Sequence, residues 1–330
     1  MNTNNISALC TGFCLLSTAA AAQATPEIYG QVAARIIDQE HHDRSIEAYD
    51  VRLGVKGQGK YANITVLYEL EAEYTAAVND SDDNKNDDSE LEVRSARLLF
   101  PTQYGVFALA PKTPSSQYQT LYGAVDIFET NRAYSDNGVS HIFDQDQTSS
   151  HVIAWRSPRK YGFQGLISYL TGSTDSGTNS DYMTWWIEWK AGQDNALSGL
   201  RAAIGQVNID SRAVHAHADD DAMRTAATIS YTHNGLHLGA TYEHSDFQEF
   251  ANLDRENYGL VASYTHKGYT LGAGYYERRF DDDSMSFQDN SGTVITLQKR
   301  FDENLMFFIE NGNFDLDEQS SLSIGAKLTF

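Results

Sequence analysis

SLSIGAKLTF, residues 321–330, ends the chain. Leu322, Ile324, Ala326, Leu328 and Phe330 fall on one parity, and Ser321, Ser323, Gly325, Lys327 and Thr329 fall on the other. A strict period of two puts one parity on each face of a β-strand. Chain ends usually fray into polar residues. A strand that holds its alternation up to a final aromatic is what the seam of a barrel in lipid requires, because fraying there would open an unsatisfied edge. The alternation predicts that Leu322 to Phe330 face lipid and that Lys327 and its small, polar parity face the lumen.

The same dyad runs back through the chain. In ANITVLYELEAEY (62–74), Ile64, Val66, Tyr68, Leu70, Ala72 and Tyr74 share one face, while Glu69, Glu71 and Glu73 share the other. LHLGATYE (236–243), YGLVASYT (258–265), YTLGAGYY (269–276) and TVITLQKR (293–300) repeat it. Alternation alone suits a sandwich as well as a barrel. The connections separate the two. Strands are predicted at 28–37, 49–57, 62–75, 91–100, 104–110, 150–157, 161–170, 182–190, 198–208, 222–232, 236–244, 257–265, 269–278, 292–300, 304–311 and 321–330, sixteen in all. Short links such as QGKY, PTQ, SPRK, THNG and HKG alternate with long polar ones such as AAVNDSDDNKNDDSE and HSDFQEFANLDRE. Short turns on one side and long loops on the other describe an outer-membrane barrel with an even strand count. All five prolines are placed at the mature terminus or in links, where no ladder hydrogen bond is lost. Aromatic residues gather near strand ends, where interfacial girdles sit. The predicted fold is all-β: one 16-stranded antiparallel transmembrane β-barrel.

Composition narrows the function. The 330 residues carry 45 acidic and 24 basic side chains, a formal charge of −21. Nucleic-acid partners need a basic face, so that class is excluded. Residues 1–24 read as a signal peptide: Ile6 to Ala22 is apolar or small and Ala22-Gln23-Ala24 has the A-x-A form, although no Lys or Arg precedes the apolar run. Cleavage near Ala24 leaves residues 25–330 as the barrel domain. Both cysteines, Cys10 and Cys14, lie in the removed segment, which excludes thiol catalysis and cysteine–zinc sites in the mature chain. Past residue 24 no apolar run is long enough for a transmembrane helix.

IYGQVAARI, YDVRLGVKG, RSARLLFPTQYGVFALAPKTP and HVIAWRSPRKYGFQGLISYL, together with the aromatic last residue, resemble the Gram-negative general porins over about the whole mature chain. The resemblance implies a trimer of water-filled barrels in the outer membrane with both termini periplasmic. It implies a third loop that folds into the lumen and faces an arginine cluster across a constriction. Arg52 and Arg94 match the basic positions, and Arg35 and Lys56, on the inward parity of their strands, could join them. The longest link, from Pro111 to Ser149, contains Asp126, Glu129, Asp136, Asp144 and Asp146. Its ETNRAYSDN (129–137) is similar to the family's acidic constriction segment, which gives Asp126, Glu129 and Asp136 as the acidic side. Phe330 matches the family's assembly signal, read by the barrel-insertion machinery. Two departures thin the basic wall. QTSSH stands where the family often has another arginine, and Ala110-Pro111-Lys112 stands where it has Gly-Arg-Gln. Arg97 falls on the outward parity, unless strand four shifts by one or Arg97 lies at an interface.

An open barrel needs no catalysis; width and field set its selectivity. The expected function is passive diffusion of small hydrophilic solutes and ions, with cations preferred because of the net charge. A sugar-type specific channel, lined by inward aromatics such as Tyr29, Trp186 and Tyr276, is the alternative, followed by a non-conducting structural or adhesion barrel and an outer-membrane hydrolase. No G-x-S-x-G, H-E-x-x-H, P-loop or dinucleotide fingerprint is present. No cofactor is expected. DSDDNKNDDSEL (80–91) mimics a calcium loop, but Lys85 replaces the turn glycine and Leu91 the bidentate glutamate, so a solvated acidic loop is the leading reading. That loop and Asp281-Asp282-Asp283 could associate loosely with Mg or Ca near lipopolysaccharide. His215-Ala-His217 and His41-His42-Asp43 lack an evident third ligand for zinc.

Overall fold

The computed structural model describes residues 25–75, 90–133, 138–171, 182–192, 197–209, 222–247 and 253–330. Residues 1–24, expected as a signal peptide, the acidic run at 80–88, Asp136 and the His215–His217 pair therefore lie outside the described residues. Sixteen strands follow in chain order. The first eight are β1 Glu27–Gln39, β2 Ser45–Tyr61, β3 Ile64–Thr75, β4 Glu90–Thr102, β5 Gly105–Pro114, β6 Thr148–Arg156, β7 Phe163–Leu170 and β8 Tyr182–Lys190. The second eight are β9 Leu200–Ile209, β10 Ala222–His233, β11 Leu236–Phe247, β12 Arg255–His266, β13 Tyr269–Phe280, β14 Asn290–Arg300, β15 Leu305–Phe314 and β16 Ser321–Thr329. Each pairs antiparallel with its neighbours, and β1 pairs with β16 to close the barrel. At the seam Phe330 N donates to Gly30 O at 3.0 Å and Gly30 N donates to Phe330 O at 2.9 Å, so the last residue is held by the first strand. A closed ladder leaves no edge to satisfy in lipid.

The faces follow the alternation. Outside, Ile28, Val32, Ile36, Leu70, Ile153, Ile187, Leu260, Ile295 and Ile324 are exposed apolar side chains, as a lipid-facing band requires. Exposed aromatics bound the band at both ends. Tyr104, Tyr161, Phe163, Tyr269 and Phe301 lie near the short turns, and Tyr74, Tyr169, Tyr242 and Tyr275 lie toward the long loops. Leu322, Ile324 and Leu328 face outward in β16, while Ser321 and Ser323 are buried inside.

Three irregularities break the period of two. Between β1 and β2 the register shifts at Gln31/Ala33, and Asp50 takes φ 55°. The extra residue lets Glu47 and Tyr49 below it, and Arg52, Gly54 and Lys56 above it, all point inward. Between β3 and β4 the register shifts at Glu71/Ala72, which leaves Arg94 as the inserted residue. Leu91, Val93 and Leu98 are exposed outside on either side of this bulge, so Arg94 and Arg97 both face the lumen. The outward placement of Arg97 is thus corrected by a shift of one within strand four. The third shift, at Ala96/Leu98, opposes a β5 segment that carries Pro111. Contrary to the expectation from sequence, the prolines are not confined to the terminus and links: Pro101, Pro111 and Pro114 lie within β4 and β5. Pro111 sits where the ladder is already interrupted, and Pro101 and Pro114 are within a residue of strand ends.

The described residues of the link between β5 and β6, 115–133 and 138–147 and hereafter loop 3, turn into the barrel instead of outward. Its buried residues Tyr118, Leu121, Tyr122, Val125, Phe128, Val139, Ile142 and Phe143 pack on Ala203, Ala226, Val261, Tyr276, Val294 and Phe314 of the inner wall. Small residues make room for it. A Cβ at Gly239 would strike the carbonyl of Ala124, one at Gly274 would meet Phe128 at 2.9 Å, and one at Gly259 would meet Phe143 at 2.9 Å. The inward glycines of β11, β12 and β13 are the seat of the loop.

Candidate functional site: the lumen and loop 3

Loop backbone held away from bulk water must find partners for its N–H and C=O groups. Wall side chains supply them. Thr241 donates to Leu121 O (2.9 Å), Tyr276 to Val125 O (2.7 Å), Gln298 to Ile127 O (3.2 Å) and Arg278 to Ile142 O (3.0 Å). Glu310, buried on β15, accepts from the backbone N–H groups of Glu129 (2.9 Å), Thr130 (3.0 Å) and Asn131 (2.7 Å), and from Asn131 Nδ2 (3.0 Å). Glu243, buried on β11, accepts from Asp144 N (3.2 Å), Asn257 Nδ2 (2.6 Å) and the Tyr122 hydroxyl. Sequence reasoning missed both glutamates, since an inward carboxylate on an alternating strand looks the same whether it lines water or holds a loop. Trp186 donates to Ser116 Oγ at 3.3 Å and Tyr276 is fully buried, so these two inward aromatics serve loop docking.

Three acidic residues of loop 3, Asp126, Glu129 and Asp144, are met by cations. Asp126 accepts from Arg132 within the loop at 2.9 Å, and Glu129 pairs with Lys327 of β16 at 3.1 Å. Asp144 pairs with Arg255 (2.7 Å) and Arg278 (3.1 Å). Burial would raise the Asp144 carboxyl, but Arg255, Arg278 and Arg224 together hold it below the usual carboxylate range.

The predicted basic residues are brought to β1–β4, though not as an uncompensated wall. Arg52 meets Asp50 and, at 3.2 Å, Glu73. Arg94 meets Glu71 at 2.7 Å and Glu73 at 3.1 Å, and donates to Gln147 Oε1 of loop 3 at 3.2 Å. Arg97 meets Glu69 at 2.7 Å. Arg35 is joined to Glu47 at 2.8 Å, and Lys56 to Glu27 at 3.0 Å near the short-turn end. Asp50 is a hub, approached also by Lys327 (3.3 Å) and Arg132 (3.6 Å), so it ties β2 to β16 and to loop 3. Its left-handed backbone at a bulge gave no signal in the alternation.

Two aqueous spaces flank this network. A cavity of about 700 Å³ lies between loop 3 and β4–β9, lined by Arg97, Lys112, Gln119, Asp146, Ser149 and Thr184 among others. A second, of about 350 Å³, is lined by Thr25, Lys56, Tyr68, Glu69, Arg97 and Leu99. Arg97 and Leu99 line both.

A sixteen-strand barrel with an inward loop and a charged lumen agrees with the family comparison, in which the model of the Gram-negative porin matches residues 7–317. The chain belongs to the Gram-negative porin family. It is an outer-membrane β-barrel and an outer-membrane porin channel. Among solved structures, Salmonella typhi OmpF in complex with daunomycin is similar over 93% of this chain and 100% of that one, with a TM-score of 0.72 at 14% identity. The Vibrio cholerae outer-membrane protein OmpT matches with a TM-score of 0.66 at 16% identity, covering 94% and 99%. The anion-selective porin from Comamonas acidovorans matches with a TM-score of 0.63 at 14% identity, covering 93% and 99%. At these identities the structures bear on the fold alone. No curated protein sequence matches the chain.

Proposed function

We propose that this porin is a general diffusion channel for small hydrophilic solutes that prefers cations to anions. The observation that carries the reading is the polar cavity of about 700 Å³ left beside loop 3, lined by charges of both signs. Opposed charges across an aqueous gap order water and disfavour apolar solutes. The cation preference is supported by the formal charge of −21, which biases the potential at the mouth and in the lumen. The sugar-type alternative is weakened by the use of Trp186 and Tyr276 in loop docking, which takes them out of an aromatic path.

A homotrimer is the proposed assembly, supported by the similar Vibrio cholerae OmpT, which is described in a trimer form. Lipopolysaccharide, with Mg or Ca at the acidic loops, and the barrel-assembly machinery acting on Phe330 are the proposed partners. Residues 1–24 are the proposed signal peptide.

The test is planar-bilayer recording of the purified, heat-modifiable protein in a salt gradient. Ohmic open-channel currents with a reversal potential of cation sign are expected. Absence of conductance would refute the channel, and an anion-sign potential would refute the preference.

A further inference from the structure

The geometry points to Glu69 and Arg97 as opposed charges that tune ion selectivity where the two aqueous spaces meet, Glu69 favouring cations and Arg97 favouring anions. This rests on the reading of the lumen as an open channel. The bulge in β4 turns Arg97 inward, and Arg97 lines both aqueous cavities while Glu69 lines the second. Solute passing from one space to the other meets this pair. Along the described residues of β2–β4 that adjoin it, three guanidiniums (Arg52, Arg94 and Arg97) are bonded to four carboxylates (Asp50, Glu69, Glu71 and Glu73). One negative charge is left in excess on the wall that the arginines alone would make basic. The adjoining pairs Arg132–Asp126 and Lys327–Glu129 are each neutral, and Asp144 is met by two arginines.

Because Glu69 is joined to Arg97 alone among these guanidiniums, it can be removed without undoing the Arg52 and Arg94 bonds. Glu69→Gln leaves the wall neutral with Arg97 uncovered at the passage. A unit charge a few ångströms from the path, partly screened by salt, alters the cation-to-anion permeability ratio by about threefold. Reversal potentials in a KCl gradient should show that ratio falling about threefold in Glu69→Gln and rising about threefold in Arg97→Gln. The double variant Glu69→Gln/Arg97→Gln should return close to the wild-type ratio. Heat-modifiable assembly is checked for each, and if Glu69→Gln does not assemble, the opposite shift in Arg97→Gln and its cancellation in the double variant decide the matter. An unchanged ratio in assembled Arg97→Gln or Glu69→Gln would overturn the assignment while leaving the channel intact. A wild-type protein that does not conduct would overturn the channel reading itself.

Discussion

Glu310→Gln is the most informative perturbation of loop 3. Glu310 Oε1 accepts from Thr130 N, Asn131 N and Asn131 Nδ2, and Oε2 accepts from Glu129 N. Glutamine fills the same volume, but with its oxygen toward Thr130 and Asn131 its amide group faces the N–H of Glu129, donor against donor. One hydrogen bond is lost and a half-buried donor is left unpaired, about 1–3 kcal/mol. The three remaining bonds lose the strength that an ionised acceptor confers, for a total of roughly 2–4 kcal/mol. At the lower figure the docked loop tip becomes about 30-fold less favoured over the undocked one. The inter-strand ladder does not involve this carboxyl, so the barrel should assemble normally. Single-channel traces should then show added open-state noise and brief closures as residues 129–131 enter the lumen. Glu310→Ala, which removes both acceptor oxygens and with them all four hydrogen bonds, should show more. Assembled Glu310→Gln and Glu310→Ala channels with wild-type conductance and noise would refute the anchoring role.

Three further outcomes follow from the same contacts. Gly239→Val places a side chain against the Ala124 carbonyl, a backbone atom that can retreat only toward the lumen. The overpacking costs roughly 1–3 kcal/mol and should lower single-channel conductance without loss of heat-modifiable barrel. Deleting Phe330 removes the two seam bonds with Gly30 and the terminal aromatic, and should reduce the outer-membrane level of the protein severalfold while any inserted channel conducts normally. For Asp144, a carboxyl held below its unfolded value stabilises the docked loop fully above that value, about pH 3.9, and loses the contribution as pH falls through the lower folded value. Closures arising from this end of loop 3 should therefore appear only below about pH 4, whereas Asp144→Asn should show them at neutral pH.

The barrel was legible in the sequence because lipid enforces it residue by residue. Outward slots such as Ile28, Ile153, Leu260 and Leu328 are apolar, inward slots are free to be small or charged, and the ladder fixes the period. Strand count and loop alternation followed from that constraint. Arg97 was not legible, since one inserted residue at Arg94 inverts parity for everything between it and the next irregularity, and a bulge leaves no mark in composition. Asp50 was hidden for the same reason. Glu243 and Glu310 were hidden for another: their partners are backbone N–H groups 99 to 181 positions away in sequence. The acidic residues of loop 3 are visible in the sequence, but the pairing of Asp126, Glu129 and Asp144 with Arg132, Lys327, Arg255 and Arg278 depends on where the loop lies against the wall. Gly239, Gly259 and Gly274 were visible as part of a small inward face, and only the docked loop explains why that face is small there.

Two kinds of interaction thus hold the molecule, and they answer to different surroundings. The strands satisfy one another through a closed ladder, and their outer side chains are stabilised by lipid, so neither depends on loop 3. The loop has the opposite arrangement: an apolar cluster around Tyr122, Phe128, Phe143 and Tyr276, buried acceptors at Glu243 and Glu310, and ion pairs to Arg255, Arg278 and Lys327. In a barrel whose outer face is solvated by lipid, this inner cluster is where burial from water operates as it does in a soluble core. Perturbations should accordingly divide into two sets. Changes at the seam or on the lipid face alter how much protein assembles, and changes beneath loop 3 alter what an assembled channel conducts. A substitution beneath the loop that abolished assembly while sparing conductance in the survivors would show that loop docking precedes barrel closure.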